Sequence, residues 1–169
     1  MNTSFRDAAV EDLPTIDRVF RTSFCDTFAH LYEEWDLAAF LAKFTPEAWR
    51  QEFDDPAYAF RVAEVAGEVV GYVKLGPLTL PVEPVPGAME LRQLYLLKQQ
   101  HGSGIARQLM DWALDEARRR GAEQLYLTVY KDNHRARRVY ERYGFEAVGR
   151  YDFMVGEQAD EDIIMRKRM

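Results

Sequence analysis

The chain has 169 residues, 47% of them hydrophobic and 13% aromatic, which is enough for one domain with a well-packed core. Its 22 Lys and Arg against 28 Asp and Glu give a net charge of −6, which argues against nucleic acid as a partner. Cys25 is the only cysteine, so an intrachain disulfide is excluded and a reducing, cytoplasmic location is expected. The sequence shows no signal-peptide pattern and no apolar run that would span a bilayer, so we expect no membrane association.

The first third of the chain predicts one short strand followed by helices. Thr3 to Arg6 has the composition of a strand, and Ala9 to Asp12 then opens a helix. The apolar positions of this helix recur at helical spacing and are Leu13, Ile16, Phe20 and Phe24. The stretch from Thr27 to Phe53 is aromatic and acidic, and Pro46 suits the first turn of a helix, so we expect two short helices there.

A predicted hairpin and a proline-rich loop follow. The β-rich runs Tyr58 to Val65 and Val69 to Leu75 are joined by Ala66-Gly67-Glu68, whose composition favours a tight turn. Between Gly76 and Gly87 four prolines deny the backbone regular hydrogen bonds, which predicts an exposed loop within one domain. These prolines are Pro77, Pro81, Pro84 and Pro86. The next predicted strand runs from Met89 to Leu97.

The second half alternates periodic helices and strands. Gly104 to Gly121 has a continuous apolar face and predicts a helix, and Gln124 to Tyr130 alternates as a strand does. Asp132 or Asn133 then caps a helix that runs through Arg142.

Two further strands are predicted at the end of the sequence, from Gly144 to Arg150 and from Asp162 to Arg166. The predicted element order is β-α-α-β-β-β-α-β-α-β-β. We therefore expect residues 1–169 to form a single domain of the mixed α/β class.

A glycine-bearing turn connects the predicted strand at Leu94 with the strongest predicted helix. Gly102 and Gly104 can expose successive N–H groups, and the helix start adds unsatisfied amides and a favourable dipole for an anion. A Walker A loop would need Gly-Lys followed by Ser or Thr, and a dinucleotide fingerprint would need a small residue at Arg107. Neither motif fits. The turn therefore indicates a phosphate site, unless its glycines only shape a tight connection.

The turn His101-Gly102-Ser103-Gly104-Ile105-Ala106 resembles the acetyl-CoA signature of the GCN5-related N-acetyltransferases, Gln/Arg-x-x-Gly-x-Gly/Ala. His101 departs from the usual Gln or Arg, and Gln99 would satisfy the pattern in a register two residues earlier. The resemblance implies a mostly antiparallel sheet flanked by helices, with acetyl-CoA as co-substrate and no metal. It also implies that amides from His101 to Arg107 hold the pyrophosphate and that main-chain groups of Leu94 and Leu96 pair with the pantetheine arm.

A second block resembles the later cofactor motif of the same family. It comprises Leu125-Tyr126-Leu127-Thr128-Val129, then Asn133, Ala136, Tyr140 and Tyr143-Gly144-Phe145. Capping of a helix would by itself explain Asn133, and the resemblance adds a cofactor contact. Tyr140 lies on a similar helical face, where its phenol could protonate a departing thiolate. The implied cofactor contacts are Leu94, Tyr95, Leu96, His101, Gly102, Ser103, Gly104, Ile105, Ala106, Arg107, Asn133, Ala136 and Tyr140.

Direct acyl transfer needs a neutral amine, a polarised carbonyl and a proton for the leaving group. The resemblance implies that the strand of Leu94 and Leu96 splays from its neighbour in the sheet. It also implies that a backbone N–H, that of Leu96, faces the thioester carbonyl oxygen. Glu90 begins that strand, at a position where some family members carry a catalytic glutamate. It is the predicted general base, acting directly or through water, and the alternative is an ordinary solvated carboxylate. Arg92 lies on the same strand face and could pair with it.

The expected acceptor is a primary amine, because acidic and aromatic residues of the early helices suit a cation. These residues are Asp26, Tyr32, Glu33, Glu34, Trp35 and Asp36, which would equally suit a solvated face. The stretches Ser23 to Phe28, Tyr151 to Gly156 and Asp162 to Met165 resemble the bacterial polyamine-acetylating branch. That resemblance implies spermidine or spermine. Protein N-termini, amino acids, aminoglycosides and a CoA-binding regulatory module without turnover are the alternatives, for a monomer or a homodimer.

Overall fold

The computed structural model describes residues 2–83 and 85–169, so that Met1 and Pro84, one of the prolines of the predicted loop, lie outside the described residues. The strands are β1 Thr3–Asp7, β2 Ala59–Val65, β3 Glu68–Pro77, β4 Met89–Leu96, β5 Gln124–Tyr130, β6 Glu146–Val155 and β7 Gln158–Arg168. The α-helices are α1 Leu13–Phe28, α2 Glu34–Leu41, α3 Pro46–Asp54, α4 Ile105–Arg119 and α5 His134–Arg142. Short 3₁₀ turns lie at Val10–Asp12, Ala29–Leu31 and Lys98–Gln100.

All the strands belong to one sheet, in the order β1-β2-β3-β4-β5-β7-β6. The pair β4–β5 is parallel and the other neighbours are antiparallel. A parallel connection needs a crossover, and α4 provides it between β4 and β5. The prediction of a mixed, mostly antiparallel sheet flanked by helices is therefore confirmed.

The structure differs from the predicted order in the number of helices between β1 and β2, which is three rather than two. The expected two short helices between Thr27 and Phe53 are both present as α2 and α3, and they follow α1. Thr45 separates them, because its hydroxyl accepts a hydrogen bond from the Ala48 N–H (3.1 Å) and caps α3 at Pro46.

The last two strands are longer than predicted and form one extended hairpin. β6 continues to Val155 and β7 begins at Gln158, with Gly156 in the left-handed region at the turn. The residues of this hairpin are mostly polar, as is typical of a loop. The strands form nevertheless, because antiparallel pairing uses backbone hydrogen bonds that do not depend on the side chains. Residues 151–161 therefore form a strand pair that extends from the sheet.

Helices cover both faces of the sheet centre. α4 packs Leu109, Ala113 and Ala117 on one face, and α1 packs Ile16 and Phe20 on the other, all of them essentially inaccessible to solvent. Each large aliphatic side chain buried in this way contributes about 1.5–3 kcal/mol. Among the described residues no helix combines the length and apolar character needed to cross a membrane.

Candidate active site

The strands β4 and β5 separate just after they begin. Their pairing consists of Met89 with Leu125 and Glu90 with Tyr126, after which β4 stays paired with β3 and β5 with β7. The Leu97 N–H donates to the Val70 carbonyl (2.9 Å), and alternate residues of an antiparallel strand face its partner. The backbone N–H and C=O groups of Leu94 and Leu96 therefore point into the gap. The splay expected beside these residues is present.

The glycine turn presents open backbone at one side of this gap. Gly102 and Gly104 have φ angles of +82° and +86°, in the left-handed region that favours glycine. A Cβ at either position would meet no protein atom within 4 Å. The Gln108 N–H bonds to the Gly104 carbonyl (3.2 Å) at the start of the α4 ladder, which leaves the first-turn amides of Ala106 and Arg107 without intrahelical acceptors. Open glycine backbone and free amides thus face the same space, as an anion site requires.

A cleft of about 870 Å³ lies against this turn, and we call it the glycine-turn cleft. It is bounded by the end of β4, the glycine turn, the first turns of α4 and one face of α5. The predicted cofactor contacts that line it are Leu94, Leu96, His101, Gly102, Gly104, Ala106, Arg107, Asn133, Ala136 and Tyr140. The structure therefore brings most of the implied set together.

Three predicted contacts lie elsewhere around the gap. Tyr95 lines the neighbouring cavity described below. The Ser103 hydroxyl donates to the Gln100 carbonyl (2.5 Å) and accepts from the Ile105 N–H (3.4 Å), so it shapes the turn. The Ile105 side chain is buried in the core under α4.

Arginine side chains surround the glycine-turn cleft in an otherwise acidic protein. Arg107, Arg135 and Arg142 all line it. Guanidinium groups are the cations best suited to phosphate oxygens. Arg135 and Arg142 were not predicted, although the arginine-rich sequence of α5, His-Arg-Ala-Arg-Arg-Val-Tyr-Glu-Arg, carried the signal.

His101 closes the turn onto the end of β4. Its Nε2–H donates to the Leu96 carbonyl oxygen (3.2 Å). A histidine in place of the usual Gln or Arg therefore still supplies a donor to the strand. Because the Leu96 carbonyl is engaged in this way, its N–H is the group of that residue that remains directed into the gap.

Helix α5 places Tyr140 at the gap. Asn133 caps the helix by accepting a hydrogen bond from the Ala136 N–H (3.3 Å), and Tyr140 packs edge-on against Phe145 at 6.1 Å between ring centres. Burial raises the pKa of the Tyr140 phenol, and no charge among the described residues opposes this shift. The phenol therefore holds its proton at neutral pH, as a proton donor must.

A second cavity, of about 340 Å³, opens on the other side of the gap, and we call it the acidic groove. Its walls come from α1, β4, β5 and the long hairpin, and at the end shared with the cleft from the glycine turn and α5. The residues are Ser23, Phe24, Thr27, Phe28, Tyr32, residues 91–96, residues 127–130, Phe153, Asp160, Asp162, His101, Ala106, Asn133, Ala136 and Tyr140. Tyr140, Leu94 and Leu96 line both this groove and the glycine-turn cleft. The two cavities therefore meet at Tyr140.

The acidic groove contains a buried carboxylate that sequence reasoning missed. Asp162 is only 7% exposed, and burial together with the charge of Asp160 raises its pKa to about 7. The Thr128 hydroxyl opposes this shift by donating a hydrogen bond, and the Tyr32 hydroxyl donates to Asp160. Asp162 was predicted as the first residue of the last strand and as part of a stretch that resembles the polyamine-acetylating branch, but not as a catalytic residue, since nothing in the sequence shows that the hairpin folds back over α1.

Glu90, the predicted general base, does not line either cavity. Its carboxylate accepts hydrogen bonds from the Thr79 N–H (3.0 Å) and hydroxyl (3.1 Å), and Arg92 pairs with it at 3.6 Å as expected. It lies opposite Tyr126, at the last paired position before the strands separate. Glu90 would therefore reach an amine in the groove only through water, and its role stays a prediction.

The acidic and aromatic residues expected to hold the acceptor are mostly directed elsewhere. Tyr32 lines the groove, whereas the Trp35 side chain is 69% exposed. Asp36 is buried and accepts a hydrogen bond from the Glu157 N–H (3.0 Å), which ties α2 to the hairpin turn. Asp26, Glu33 and Glu34 are exposed.

Comparison with known proteins assigns this arrangement to a family. The family model described as "Acetyltransferase (GNAT) family" matches residues 25–145, which include the gap, the glycine turn and α5. The chain belongs to the GNAT acetyltransferase family. It is an acetyl-CoA-dependent N-acetyltransferase, and acetyl-CoA is its co-substrate.

Relatives of this GNAT enzyme span nearly the whole chain. An uncharacterized N-acetyltransferase from the pepI 3' region of Lactobacillus delbrueckii subsp. lactis is 29% identical over 94% of this chain and 93% of its own. The L-methionine sulfoximine/L-methionine sulfone acetyltransferase of Pseudomonas aeruginosa is 31% identical over 88% of this chain and 83% of its own.

Solved structures share the fold of the GNAT enzyme. PaiA N-acetyltransferase from Thermoplasma acidophilum, crystallised with coenzyme A, superimposes with a TM-score of 0.77 over 100% of both chains at 22% identity. Ribosomal-protein-alanine N-acetyltransferase from Brucella melitensis gives a TM-score of 0.76 over 98% of this chain and 99% of its own, at 24% identity. At these identities the likeness concerns the fold alone.

Proposed function

We propose that this enzyme, as a single domain of residues 1–169, transfers the acetyl group directly to a primary amine bound in the acidic groove. The observation that carries the proposal is that two cavities open on either side of one strand gap and meet at Tyr140. A donor in one cavity and an acceptor in the other would thus be in contact at the gap. Direct transfer is supported further by Cys25, which lines neither cavity and whose thiol pKa is raised by burial.

The residues of the glycine-turn cleft fit acetyl-CoA. The free amides of Ala106 and Arg107, with the open backbone of Gly102 and Gly104, would hold the pyrophosphate. The arginines that line the cleft would bind the remaining phosphate oxygens. Main-chain groups of Leu94 would pair with the pantetheine arm, whereas His101 already engages the Leu96 carbonyl. When bound, acetyl-CoA supplies an acetyl group activated as a thioester.

Two groups of the chain suit the chemistry at the gap. The Leu96 N–H points into the gap and would donate a hydrogen bond to the carbonyl oxygen as negative charge develops there. The Tyr140 hydroxyl would give its proton to the departing sulfur. Starting from the protonated amine, the overall reaction joins the nitrogen to the acetyl carbon, breaks the carbon–sulfur bond and releases a thiol and one proton. Tyr140 would regain its proton from the acetylated nitrogen.

We propose a polyamine as the acceptor. The stretches that resemble the polyamine-acetylating branch contribute Phe24, Phe28, Phe153 and Asp162 to the same groove, although they are far apart in the sequence. Aromatic faces and carboxylates together suit an alkylammonium chain. The proposal is therefore supported by the way these stretches converge on the groove.

An amino acid or an analogue of one is the second candidate. The Pseudomonas relatives act on L-methionine sulfoximine and L-methionine sulfone, as their names state. Arg92 lines the acidic groove here and offers a cation to a carboxylate, which a polyamine would not use.

Thiol release from acetyl-CoA tests the proposal. We would follow it with a thiol reagent across polyamines, amino acids, methionine sulfone and aminoglycosides, with CoA binding measured by calorimetry in parallel. Release that depends on spermidine or spermine supports the polyamine, and release with methionine sulfone alone supports the second candidate. Tight CoA binding without release from any amine would favour the regulatory module or a protein acceptor.

A further inference from the structure

Two carboxylates, Asp160 and Asp162, line the acidic groove, and they differ in their surroundings. Asp160 is half-buried and accepts a hydrogen bond from the Tyr32 hydroxyl. Asp162 of β7 is only 7% exposed and lies opposite Tyr130 of β5. Both carboxylates line the groove, and Asp162 is the more deeply buried of the two.

Asp162, Tyr140 and Tyr95 of β4 line the same groove. Burial raises the pKa of the Tyr95 phenol, and the ionised forms of Tyr140 and Asp162 nearby would raise it further. Asp162 and Tyr140 therefore lie near the same point of β4, where the two cavities meet.

We propose that Asp162 is the general base that takes a proton from the acceptor ammonium. This inference rests on the proposed function and deepens it. The ammonium R–NH₃⁺ gives one proton to a carboxylate oxygen of Asp162, which leaves R–NH₂ with a free electron pair and a neutral carboxylic acid. The acid then ionises again by releasing this proton to water at the mouth of the groove.

The polar and titratable groups around Asp162 favour this role. From the packed elements they are Asp160 on β7, Thr128 and Tyr130 on β5, Tyr151 on β6, Tyr32 after the 3₁₀ turn, and Tyr95 with Arg92 on β4. The positive charge of Arg92 is offset by Glu90 at 3.6 Å. A cationic amine bound in the groove would thus balance the negative charge of Asp160 and Asp162. A general base with a pKa near 7 is also well matched to neutral pH.

The first experiment titrates Asp162 in the free enzyme. The chain is labelled with ¹³C at the aspartate carboxyl carbons, and the Asp162 signal is assigned from its absence in Asp162→Asn. We expect a midpoint near 7, as the structure indicates, and a lower midpoint in Asp160→Asn because the neighbouring negative charge is gone. A midpoint below about 5, which is ordinary for aspartate, would overturn the inference.

The second experiment measures kcat/KM between pH 6 and 9 with spermidine, or with the fastest amine of the panel. At pH 7, Asp162→Asn should lose roughly 10²–10⁴-fold, the usual contribution of a general base. Above pH 7 the loss should shrink about tenfold per pH unit, because Asp162 of the wild type is then largely ionised whereas the variant must draw on amine that is already neutral in solution. Between pH 6 and 7 both enzymes lose activity alike. A loss that does not change between pH 7 and 9 would make Asp162 a structural residue and overturn the inference.

Two companion variants sharpen the result. Asp152→Asn removes the same charge from an exposed position of β6 and should keep the wild-type profile. Glu90→Gln tests the rival base, and a pH-dependent loss there with an unchanged Asp162→Asn enzyme would reject Asp162. In that case amine-dependent turnover by the wild type persists and the proposed function stands. Absence of turnover with every amine would instead overturn the proposed function and the inference with it.

Discussion

The glycine-turn cleft takes most of its binding groups from the main chain of one continuous segment, Leu94 to Arg107. The acidic groove, by contrast, is assembled from side chains of α1, β4, β5 and the β6–β7 hairpin. Main-chain amides are present whatever the side chains are, so the cleft depends on a few glycine conformations. The groove depends on the identity of each side chain. The donor side is thus expected to stay constant among relatives while the acceptor side changes.

The largest expected effect is that of Gly104→Asp on the cleft. The new carboxylate would lie beside the pyrophosphate, and the φ of +86° disfavours most side chains. We expect no detectable acetyl-CoA binding by calorimetry. Gly104→Asn is the matched control, because it has the same shape, tolerates the left-handed region and adds no charge, so it should bind measurably. Undiminished affinity of Gly104→Asp would mean that the phosphates bind elsewhere.

Tyr140→Phe tests the point where the two cavities meet. Only the hydroxyl is removed, so kcat should fall by roughly 10²–10⁴-fold while the dissociation constant for CoA stays unchanged. Steady-state kinetics and calorimetry on the same preparation separate these quantities. Tyr58→Phe, which removes a hydroxyl that lines neither cavity and keeps the ring against Arg92, should leave turnover intact. Unchanged kcat in Tyr140→Phe would remove Tyr140 as the acid.

The smallest expected effect concerns the groove alone. Thr128→Val removes the hydroxyl that stabilises ionised Asp162, so the pKa of Asp162 should rise. A base must be ionised, and the rising limb of kcat/KM against pH should therefore move to higher pH. The shift should be opposite in sign to that of Asp160→Asn and smaller. A change in CoA affinity as well would mean that the acidic groove and the glycine-turn cleft are coupled.

The same contrast explains which parts of the site could be predicted from the sequence. Gly102, Gly104 and the cap at Asn133 act locally, and their spacing in one segment is a readable signal. The long hairpin was predicted too short because its residues are polar, and its pairing depends on a two-residue turn at Gly156. The resemblance to the polyamine-acetylating branch grouped Asp162 with residues 23–28 of α1, but nothing in the sequence related it to Tyr140.

The surroundings of Glu90 depend on where the gap between β4 and β5 opens. It was expected at the gap because it begins the strand that borders the gap. The strands still pair at Glu90 and Tyr126, so the gap opens only after Glu90. The Glu90 carboxylate instead accepts hydrogen bonds from the Thr79 N–H and hydroxyl. The point at which two parallel strands separate depends on tertiary packing, which strand propensity does not encode.

The two-residue pairing of β4 with β5 also links the cofactor to the stability of the protein. Main-chain groups of Leu94 and Leu96 lack a strand partner across the gap, so the sheet is completed only by a bound molecule. A ligand at a hundred times its dissociation constant stabilises the folded state by about 2.7 kcal/mol. The melting temperature should therefore follow the CoA concentration, and a cell short of CoA would hold a pool of this enzyme that proteases degrade faster.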